Sequence, residues 1–188
     1  MTLSIWTETR YSAPMIRNIV QAEEETLRLQ AAAIPVKDIP SKHIQQIIAD
    51  MKETLRPENL GVAIAAPQIG ESIRLFIISG KVYAARMTPR EKYDPEKHAD
   101  SIFINPEITR IAQKQKLMHE GCLSLRGKWG MVPRSEKLTV RGYDEHGKPF
   151  SKNLSGLLAH IVQHEVDHLN GIIYTDNAAE TYDEEVAK

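Results

Sequence analysis

The sequence predicts an α+β fold in which small antiparallel or mixed sheets pack around one central helix. Two observations lead to this prediction. Several short apolar segments with strand-like composition precede a single strong helical pattern near the C-terminal end. The chain also has 188 residues, 41% of them hydrophobic, and a chain of this size buries roughly 70% of its unfolded surface. We therefore expect residues 1–188 to form one domain.

Charge and composition exclude several classes of function. The net charge is −1 and no basic run is present, so we expect no direct nucleic-acid binding. No apolar stretch approaches the roughly 18 residues that a membrane span needs, and residues 1–18 lack the apolar segment of a secretory signal. A single cysteine cannot form an internal disulfide. These features predict a cytoplasmic protein without a membrane partner.

The first third of the chain contains one clear helix and one clear strand. The apolar residues within 14–36 allow a helix. Ser41 can cap a helix with an apolar stripe, which Arg56-Pro57 ends. The small residues of 61–68 predict a loop whose backbone can approach a peptide closely, although tight packing would also explain them. Residues 74–79 predict a buried strand.

The middle of the chain alternates between polar segments and short strands. Residues 81–100 carry many charges and predict a surface excursion, for which we favour a tolerated insertion over a mobile flap. Two short strands are predicted at 101–105 and 107–111. Residues 137–141 and 150–154 predict a hairpin.

The segment His164-Glu165-Val166-Asp167-His168 indicates a chemistry by its spacing alone. Residues four apart lie on the same face of a helix, so His164 and His168 can bind one divalent metal. Glu165, one step round the helix, can lie beside the open coordination position. The alternative is a buried helix whose histidines only form hydrogen bonds, but each polar group would then need a buried partner.

The flanks of this segment favour a helix. The upstream apolar residues from Leu154 to Val162 have helical spacing, and Ser155 can serve as the N-cap. Asn170-Gly171 supplies a C-terminal stop.

A catalytic metal needs a third protein ligand, with the fourth position left to water. In one protease pattern that ligand is a third His, but the corresponding position here is Tyr174. Acidic ligands are available only in the tail, at Glu180, Glu184 and Glu185, which we expect to be frayed. Cys122 is the alternative, because a thiolate is a strong ligand for such a metal. A lone cysteine can also be a small buried hydrophobe.

Three motifs, in order along the chain, resemble those of the peptide deformylases. They are Gly61-Val62-Ala63-Ile64-Ala65-Ala66-Pro67-Gln68, Gly121-Cys122-Leu123-Ser124 and Gln163-His164-Glu165-Val166-Asp167-His168-Leu169, within a resemblance that covers roughly residues 14–176. The resemblance implies the fold of that family and a metal-dependent hydrolase. Its substrates would be the N-formylmethionyl ends of nascent peptides at the ribosome, and formate would be released. Over residues 14–36 the resemblance implies an extended passage that leads into a turn, as the alternative to a helix.

The resemblance also implies a role for each matching position. One divalent ion is expected, with Fe²⁺ favoured and Zn²⁺, Ni²⁺ or Co²⁺ able to replace it. The matching positions are the metal ligands Cys122, His164 and His168, the general base Glu165, the oxyanion donors Gln68 and Leu123 (through its backbone N–H), and the substrate-binding residues Val62, Ala63 and Gly121.

The chain departs from the family pattern at two positions. Ala63 stands where the family usually has glycine, and Arg126 stands where it commonly has proline. Trp129 either floors a side-chain pocket or is a partly exposed aromatic residue. Glu120 and Arg134 resemble a family ion pair that steadies the cysteine loop, although a weak surface pair is the alternative.

Three other functions remain open from the sequence. One is a zinc endopeptidase of another lineage with a ligand from the tail, and another is a cysteine hydrolase that uses Cys122 with a histidine base. The third is a deformylase-like protein retained for binding. The remaining histidines are predicted to be structural or solvent-facing: His43, His98, His119, His146 and His160.

Overall fold

A computed structural model describes residues 13–84 and 98–184 and has an α+β architecture with two antiparallel sheets. The elements, in chain order, are α1 (Lys42–Leu55), β1 (Ala63–Ala65), β2 (Leu75–Ile78), α2 (Lys81–Ala84), β3 (Ser101–Ile111), β4 (Gln115–Cys122), β5 (Leu125–Ser135), β6 (Lys137–Tyr143), β7 (Pro149–Ser155), α3 (Leu157–Leu169), α4 (Tyr174–Asn177) and β8 (Glu180–Asp183). One sheet has the strand order β1-β2-β3-β6-β7 and the other has the order β4-β5-β8. The predicted α+β class is thus confirmed.

The part of the five-stranded sheet formed by β1 and β2 is buried between two helices. Along β2, Leu75 and Ile77 belong to the apolar cluster that includes α1, whereas Phe76 and Ile78 belong to the cluster that includes α3. Successive side chains of a strand point to opposite faces, so α1 covers one face and α3 covers the other. This burial on both faces explains why the strand is a continuous apolar run instead of an alternating one.

Helix α1 begins where the sequence predicts. The Oγ atom of Ser41 accepts the N–H of Ile44 at 3.4 Å, which satisfies one of the free donors of the first turn. The buried positions of the helix include Ile44, Ile48 and Met51, which lie on one stripe at helical spacing.

Two predicted boundaries near the sheet are wrong. Residues 61–68 are not a plain loop, because they contain β1 and a 3₁₀ turn over Ala66–Ile69. The two strands predicted at 101–105 and 107–111 are one strand, β3, which is irregular at Asn105, where φ is +48°. The Asn105 side chain holds this bend by hydrogen bonds of 2.8 and 2.7 Å with the backbone N–H and C=O of Ile34.

The sequence patterns do not predict the three-stranded sheet. Four of the eight β4 residues are exposed and only Glu120 is buried, so the strand has no apolar alternation that would predict it. The tail is not frayed over Glu180–Asp183, because this segment pairs with β5 as β8. Glu185 lies outside the described residues. In the predicted surface excursion, residues 81–84 form α2, and residues 85–97 lie outside the described part of the chain.

Helix α3 has a different start and the predicted end. Ser155, the predicted N-cap, is the last residue of β7, and Leu154 also lies in that strand. The N-cap is Gly156, which has a φ of +59° and no side chain to cap the helix. The helix ends at Leu169, and Gly171 follows with a φ of +75°.

Residues 14–36 take the extended alternative as they cross the molecule. The N–H groups of Val20 and Ala22 donate to the carbonyls of Gln68 and Ser124 at 2.9 and 2.8 Å, before a short 3₁₀ turn begins at Glu25. Within residues 13–84 and 98–184, none of the helices has the length and apolar character that crossing a bilayer requires.

The substitution Gly171→Ala is expected to lower the free energy of unfolding by about 1–3 kcal/mol, because an L side chain is strained at this φ. A Cβ atom would also lie 2.4 Å from the backbone oxygen of Arg28. Gly70→Ala is the control, because Gly70 has a φ of +85° but, apart from its two chain neighbours, none of the described residues lies within 4 Å of the added carbon. Denaturant unfolding of both variants separates strain from close approach, and an equal loss in the two would contradict the steric contribution.

Candidate metal centre and active site

A cleft of about 530 Å³ lies where the two sheets approach α3. One wall comes from residues 57–63, which lead into β1, and another from residues 119–129 of β4 and β5. Helix α3 supplies the remaining wall with Leu157, Ile161 and neighbouring residues. Strands β1 and β4 are edge strands of their sheets, so unpaired backbone groups border the cleft on two sides.

Three side chains of the kinds that can hold a metal ion meet in this region. The ligand atoms of Cys122, His164 and His168 all lie within 4.8 Å of one another, and 3.2 Å separates Cys122 Sγ from His168 Nε2. Cys122 ends β4, whereas the two histidines lie one turn apart on α3. One thiolate and two imidazoles at this separation fit a divalent transition metal that keeps an open fourth position.

Glu120 orients one of the three side chains. Its Oε2 atom accepts the His164 Nδ1–H at 2.7 Å, which leaves Nε2 of that ring for a metal. Its Oε1 atom accepts the His160 Nε2–H at 2.8 Å, and Arg134 donates to both oxygens at 2.7 and 3.1 Å. Burial opposes the charge on Glu120, but the bonds from His160, His164 and Arg134 outweigh it and hold its pKa well below the usual range.

The predicted pair of Glu120 and Arg134 is therefore present and is buried, not a surface pair. The two side chains are 2% and 7% exposed. Arg134 also donates to Asp167 of α3 at 2.6 Å. The guanidinium of Arg134, on β5, thus links Glu120 of β4 to Asp167 of α3.

The same surroundings favour the ionised thiol. Burial acts to raise the pKa of Cys122, but the charge of His168 and the hydrogen bonds from His164 and His168 lower it well below the ordinary value. Burial acts to lower the pKa of His164. Its hydrogen bonds to Cys122 and Glu120 outweigh burial and raise this pKa well above the ordinary value. A thiolate is the form of cysteine that binds metals.

Glu165 is buried with one free oxygen. It lines the cleft, is 4% exposed, and its Oε2 atom has no hydrogen-bond partner among the described residues. Burial raises its pKa to about 7, although the charges of His164 and His168 act against the shift. A carboxyl with this pKa can accept and return a proton near neutrality.

Gln68 is fixed with its amide nitrogen towards the metal-binding group. Its Oε1 atom accepts the Ala65 N–H at 2.8 Å, and its Nε2 atom donates to Ser124 Oγ at 3.1 Å and to Cys122 Sγ at 3.4 Å. These contacts assign the amide orientation unambiguously. Leu123 follows Cys122 directly, in the turn between β4 and β5.

The three predicted substrate-binding residues all line the cleft. Val62 and Ala63 lie on the β1 side, and Gly121 lies on the β4 side next to Cys122. Ala63 is only 8% exposed, and its methyl group packs in the cluster that contains α3. This methyl group therefore fills part of the core beneath the cleft.

The sequence leaves the contacts of several site residues unassigned. His160, predicted to be structural or solvent-facing, is structural: it is buried against Glu120, and its spacing of four before His164 is the signal that places it on the same face of the helix. Ser124, inside a recognised motif, anchors Gln68, and its N–H donates to Cys122 Sγ at 3.4 Å. Asp167, inside the helical motif, binds Arg134.

The other positions considered for a third ligand are not part of this group. Tyr174 is buried, and its hydroxyl donates to the backbone oxygen of Lys128 at 2.9 Å. Within the described residues, the group of side chains placed to hold a metal contains neither Glu180 nor Glu184. Arg126, at the cleft rim, donates to Glu58 at 2.7 and 3.1 Å.

Comparisons with known proteins agree with this geometry. The sequence profile of the family described as polypeptide deformylase matches residues 16–184. The chain is 39% identical to a peptide deformylase of Chloroflexus aurantiacus over 86% of each chain. It is 38% identical to one of Desulforudis audaxviator, covering 87% of this chain and 94% of the relative.

Solved structures give the same result for the fold. A class I type b peptide deformylase of Acinetobacter baumannii, bound to Met-Ala-Ser, has a TM-score of 0.74 and 30% identity, covering 87% of this chain and 98% of that chain. A peptide deformylase of Legionella pneumophila has a TM-score of 0.73 and 36% identity, and the match covers 87% of this chain and 86% of that one. The chain belongs to the peptide deformylase family.

Proposed function

We propose that this protein hydrolyses the N-terminal formyl group of formylmethionyl peptides and releases formate. The observation that carries the proposal is the placement of Glu165 beside the group formed by Cys122, His164 and His168: it is buried, and one of its oxygens has no hydrogen-bond partner in the described part of the chain. A proton acceptor next to a metal-binding group with an open position is the arrangement that metal-assisted hydrolysis of an amide requires.

In this proposal Cys122, His164 and His168 hold the ion, and Glu120 fixes the ring of His164. A divalent ion held there would act as a Lewis acid and would lower the pKa of water from ~15.7 towards ~7. Glu165 accepts the proton of the attacking water and then returns it to the departing amine. Its pKa of about 7 suits both transfers.

Two donors of the chain are proposed to stabilise the oxyanion that develops on the formyl group. The Gln68 amide is held towards Cys122 by Ala65 and Ser124, so it needs no reorientation during the reaction. The backbone N–H of Leu123 is the second donor. One such preorganised donor is typically worth about 2.7–4 kcal/mol of transition-state stabilisation.

The substrate is proposed to bind as an added strand between the edges of β1 and β4. Backbone groups of Val62, Ala63 and Gly121 would pair with the peptide, which would join the two sheets. The cleft wall formed by Leu157 and Ile161 of α3 is apolar and suits the thioether side chain of methionine.

The metal and the cellular setting follow from the resemblance. It favours Fe²⁺, while thiolate and imidazole donors also suit Zn²⁺, Ni²⁺ and Co²⁺. Action on nascent chains at the ribosome, in the cytoplasm, stays a prediction. Elemental analysis of anaerobically purified protein identifies the ion.

The direct test is formate release from a formyl-Met tripeptide by the metal-loaded protein, with the acetyl-Met tripeptide as the control. We expect release from the formyl peptide and loss of activity after chelation, with recovery when the metal is restored. Activity that survives complete chelation would favour a cysteine hydrolase that uses Cys122. Absence of formate release with a full metal site would instead favour a protein retained for binding.

The substitution Gln68→Ala is expected to lower kcat about 10²- to 10³-fold, because it removes one oxyanion donor. Gln163→Ala is the matched control. Gln163 is also buried and bonded, to the backbone of Ser135 at 3.0 Å and of Ala159 at 2.8 Å. It should lose stability but keep kcat, and similar kcat losses in both variants would remove Gln68 from the reaction.

A further inference from the structure

A stack of three rings lies at the rim of the cleft. The imidazole of His119 on β4 is stacked on the indole of Trp129 on β5, with centroids 4.7 Å apart and planes 3° apart. The same imidazole stacks on Tyr182 of β8 at 5.6 Å and 19°. His119 and Trp129 both line the cleft, and Tyr182 is 42% exposed. The proposed chemistry uses none of these rings.

The strands place this stack on the sheet face that points away from α3. Glu120 points towards α3, where it binds His160 and His164, so the neighbouring side chain of His119 points to the opposite face. On β5, Gly130 packs against Tyr174, so the adjacent Trp129 also lies on the outer face.

Trp129 reaches across β4 to the position where the substrate backbone is proposed to pair. Gly121 is its partner in the strand register, and a Cβ atom on Gly121 would lie 2.8 Å from the indole ring. The absence of a side chain at this position therefore allows the indole to lie over the strand edge, next to Cys122. His119 supports the indole by stacking on it and limits its rotamers.

The alternation of side chains along a strand assigns a substrate residue to this surface. A peptide paired with the free edge of β4 extends the three-stranded sheet, and its side chains alternate between the two faces. The methionine side chain enters the apolar wall formed by α3, on the inner face. The side chain of the second residue then points to the outer face, where Trp129 and His119 lie.

We propose that Trp129, supported by His119 and Tyr182, forms a subsite that selects a planar apolar side chain at the second residue of the substrate. The inference rests on the proposed function, because it uses the proposed path of the peptide. An aromatic side chain stacked on an indole that is already ordered loses little conformational freedom on binding. Such a contact is expected to raise kcat/KM by about 3- to 10-fold over alanine.

The test compares formyl-Met-Phe-Ala, formyl-Met-Ala-Phe and formyl-Met-Ala-Ala as substrates of the wild type, Trp129→Ala and Trp129→Phe. We expect the wild type to prefer phenylalanine at the second position, Trp129→Ala to lose that preference and Trp129→Phe to retain most of it. His146→Ala, which removes an exposed imidazole on the turn between β6 and β7, is the control and should behave as the wild type.

A direct binding measurement covers the case in which Trp129→Ala does not fold. The chain has two tryptophans, so Trp6→Phe leaves Trp129 as the sole one. The product Met-Phe-Ala should change the fluorescence of Trp129 at a lower concentration than the product Met-Ala-Ala does.

The inference is overturned if the wild type has equal kcat/KM for the three peptides, or if it prefers phenylalanine at the third position. It is also overturned if Trp129→Ala, with full metal content, loses kcat/KM by the same factor for all three peptides. Failure of the proposed function is distinct, because no peptide would then release formate. The fluorescence titration would still report whether the product contacts Trp129.

Discussion

The substitution Glu165→Gln is expected to lower kcat for deformylation by about 10⁴-fold while the protein keeps its metal. General acid–base catalysis contributes about 10²- to 10⁴-fold, and the upper end applies because one carboxyl serves in both proton transfers. Glutamine has nearly the same shape, so the buried volume next to His164 is preserved. The amide, however, cannot accept a proton at neutral pH.

Three measurements check this prediction on the same sample: metal content, KM and kcat for a formyl-Met tripeptide. Glu145→Gln is the control, because Glu145 lies on the turn between β6 and β7, away from the cleft-lining residues. Near wild-type turnover in Glu165→Gln would refute the assigned base. Loss of the ion together with activity would mean that Glu165 helps to hold the metal.

The elements that the sequence predicts best are those whose burial leaves a periodic pattern. Helix α1 is covered on one stripe, so its apolar spacing and its cap at Ser41 are both visible in the sequence. Strand β2 is buried on both faces and is a short apolar run. Strand β8 is exposed along its whole length and β4 has a single buried residue, so their pairing depends on backbone hydrogen bonds that no side-chain pattern records.

The start of α3 shows a second limit of sequence reasoning. Ser155 has the side chain of a good N-cap, but β7 continues through it and Gly156 makes the turn into the helix. Tertiary pairing of β7 with β6 therefore overrides the local preference. The four-residue spacing of His164 and His168, in contrast, is a property of the helix itself and needs no tertiary information.

The approach of Cys122 to the two histidines is the part of the site that spacing alone leaves open. Cys122 and His164 are 42 positions apart in the sequence, and the pairing of β4 with β5 and the hydrogen bonds of Glu120 and Arg134 bring the thiol to the helix. The resemblance to the peptide deformylases is what identifies Cys122 as the expected third ligand. The sequence leaves the contacts of His160 and Asp167 unassigned because they depend on Glu120 and Arg134, which reach them from other strands.

Glu120 is the residue whose loss should affect both folding and the metal. Its carboxylate accepts hydrogen bonds from His160, His164 and Arg134 in a buried position. The substitution Glu120→Gln removes the negative charge and leaves the buried guanidinium with Asp167 as its remaining charged partner. We expect the free energy of unfolding of the metal-free protein to fall by up to about 3–5 kcal/mol, because removing one partner of a buried ion pair leaves the charge of the other only partly compensated.

The metal affinity of Glu120→Gln should fall by about 10- to 100-fold, because the ring of His164 loses the carboxylate that orients it. Glu107→Gln is the matched control. Glu107 also binds an arginine through two hydrogen bonds, at 3.0 and 2.7 Å to Arg141, but the two side chains are 58% and 62% exposed. Removing this exposed pair should cost only about 0.2–1 kcal/mol and leave the metal affinity unchanged.

Denaturant unfolding of the metal-free variants and competitive metal titration of the folded ones measure the two effects separately. Salt adds a further distinction, since 1 M NaCl screens the exposed pair of Glu107 much more than the buried pair of Glu120. Equal losses of stability in the two variants would mean that burial adds nothing to the Glu120 network. A stability loss in Glu120→Gln with unchanged metal affinity would mean that the network supports the fold without orienting His164.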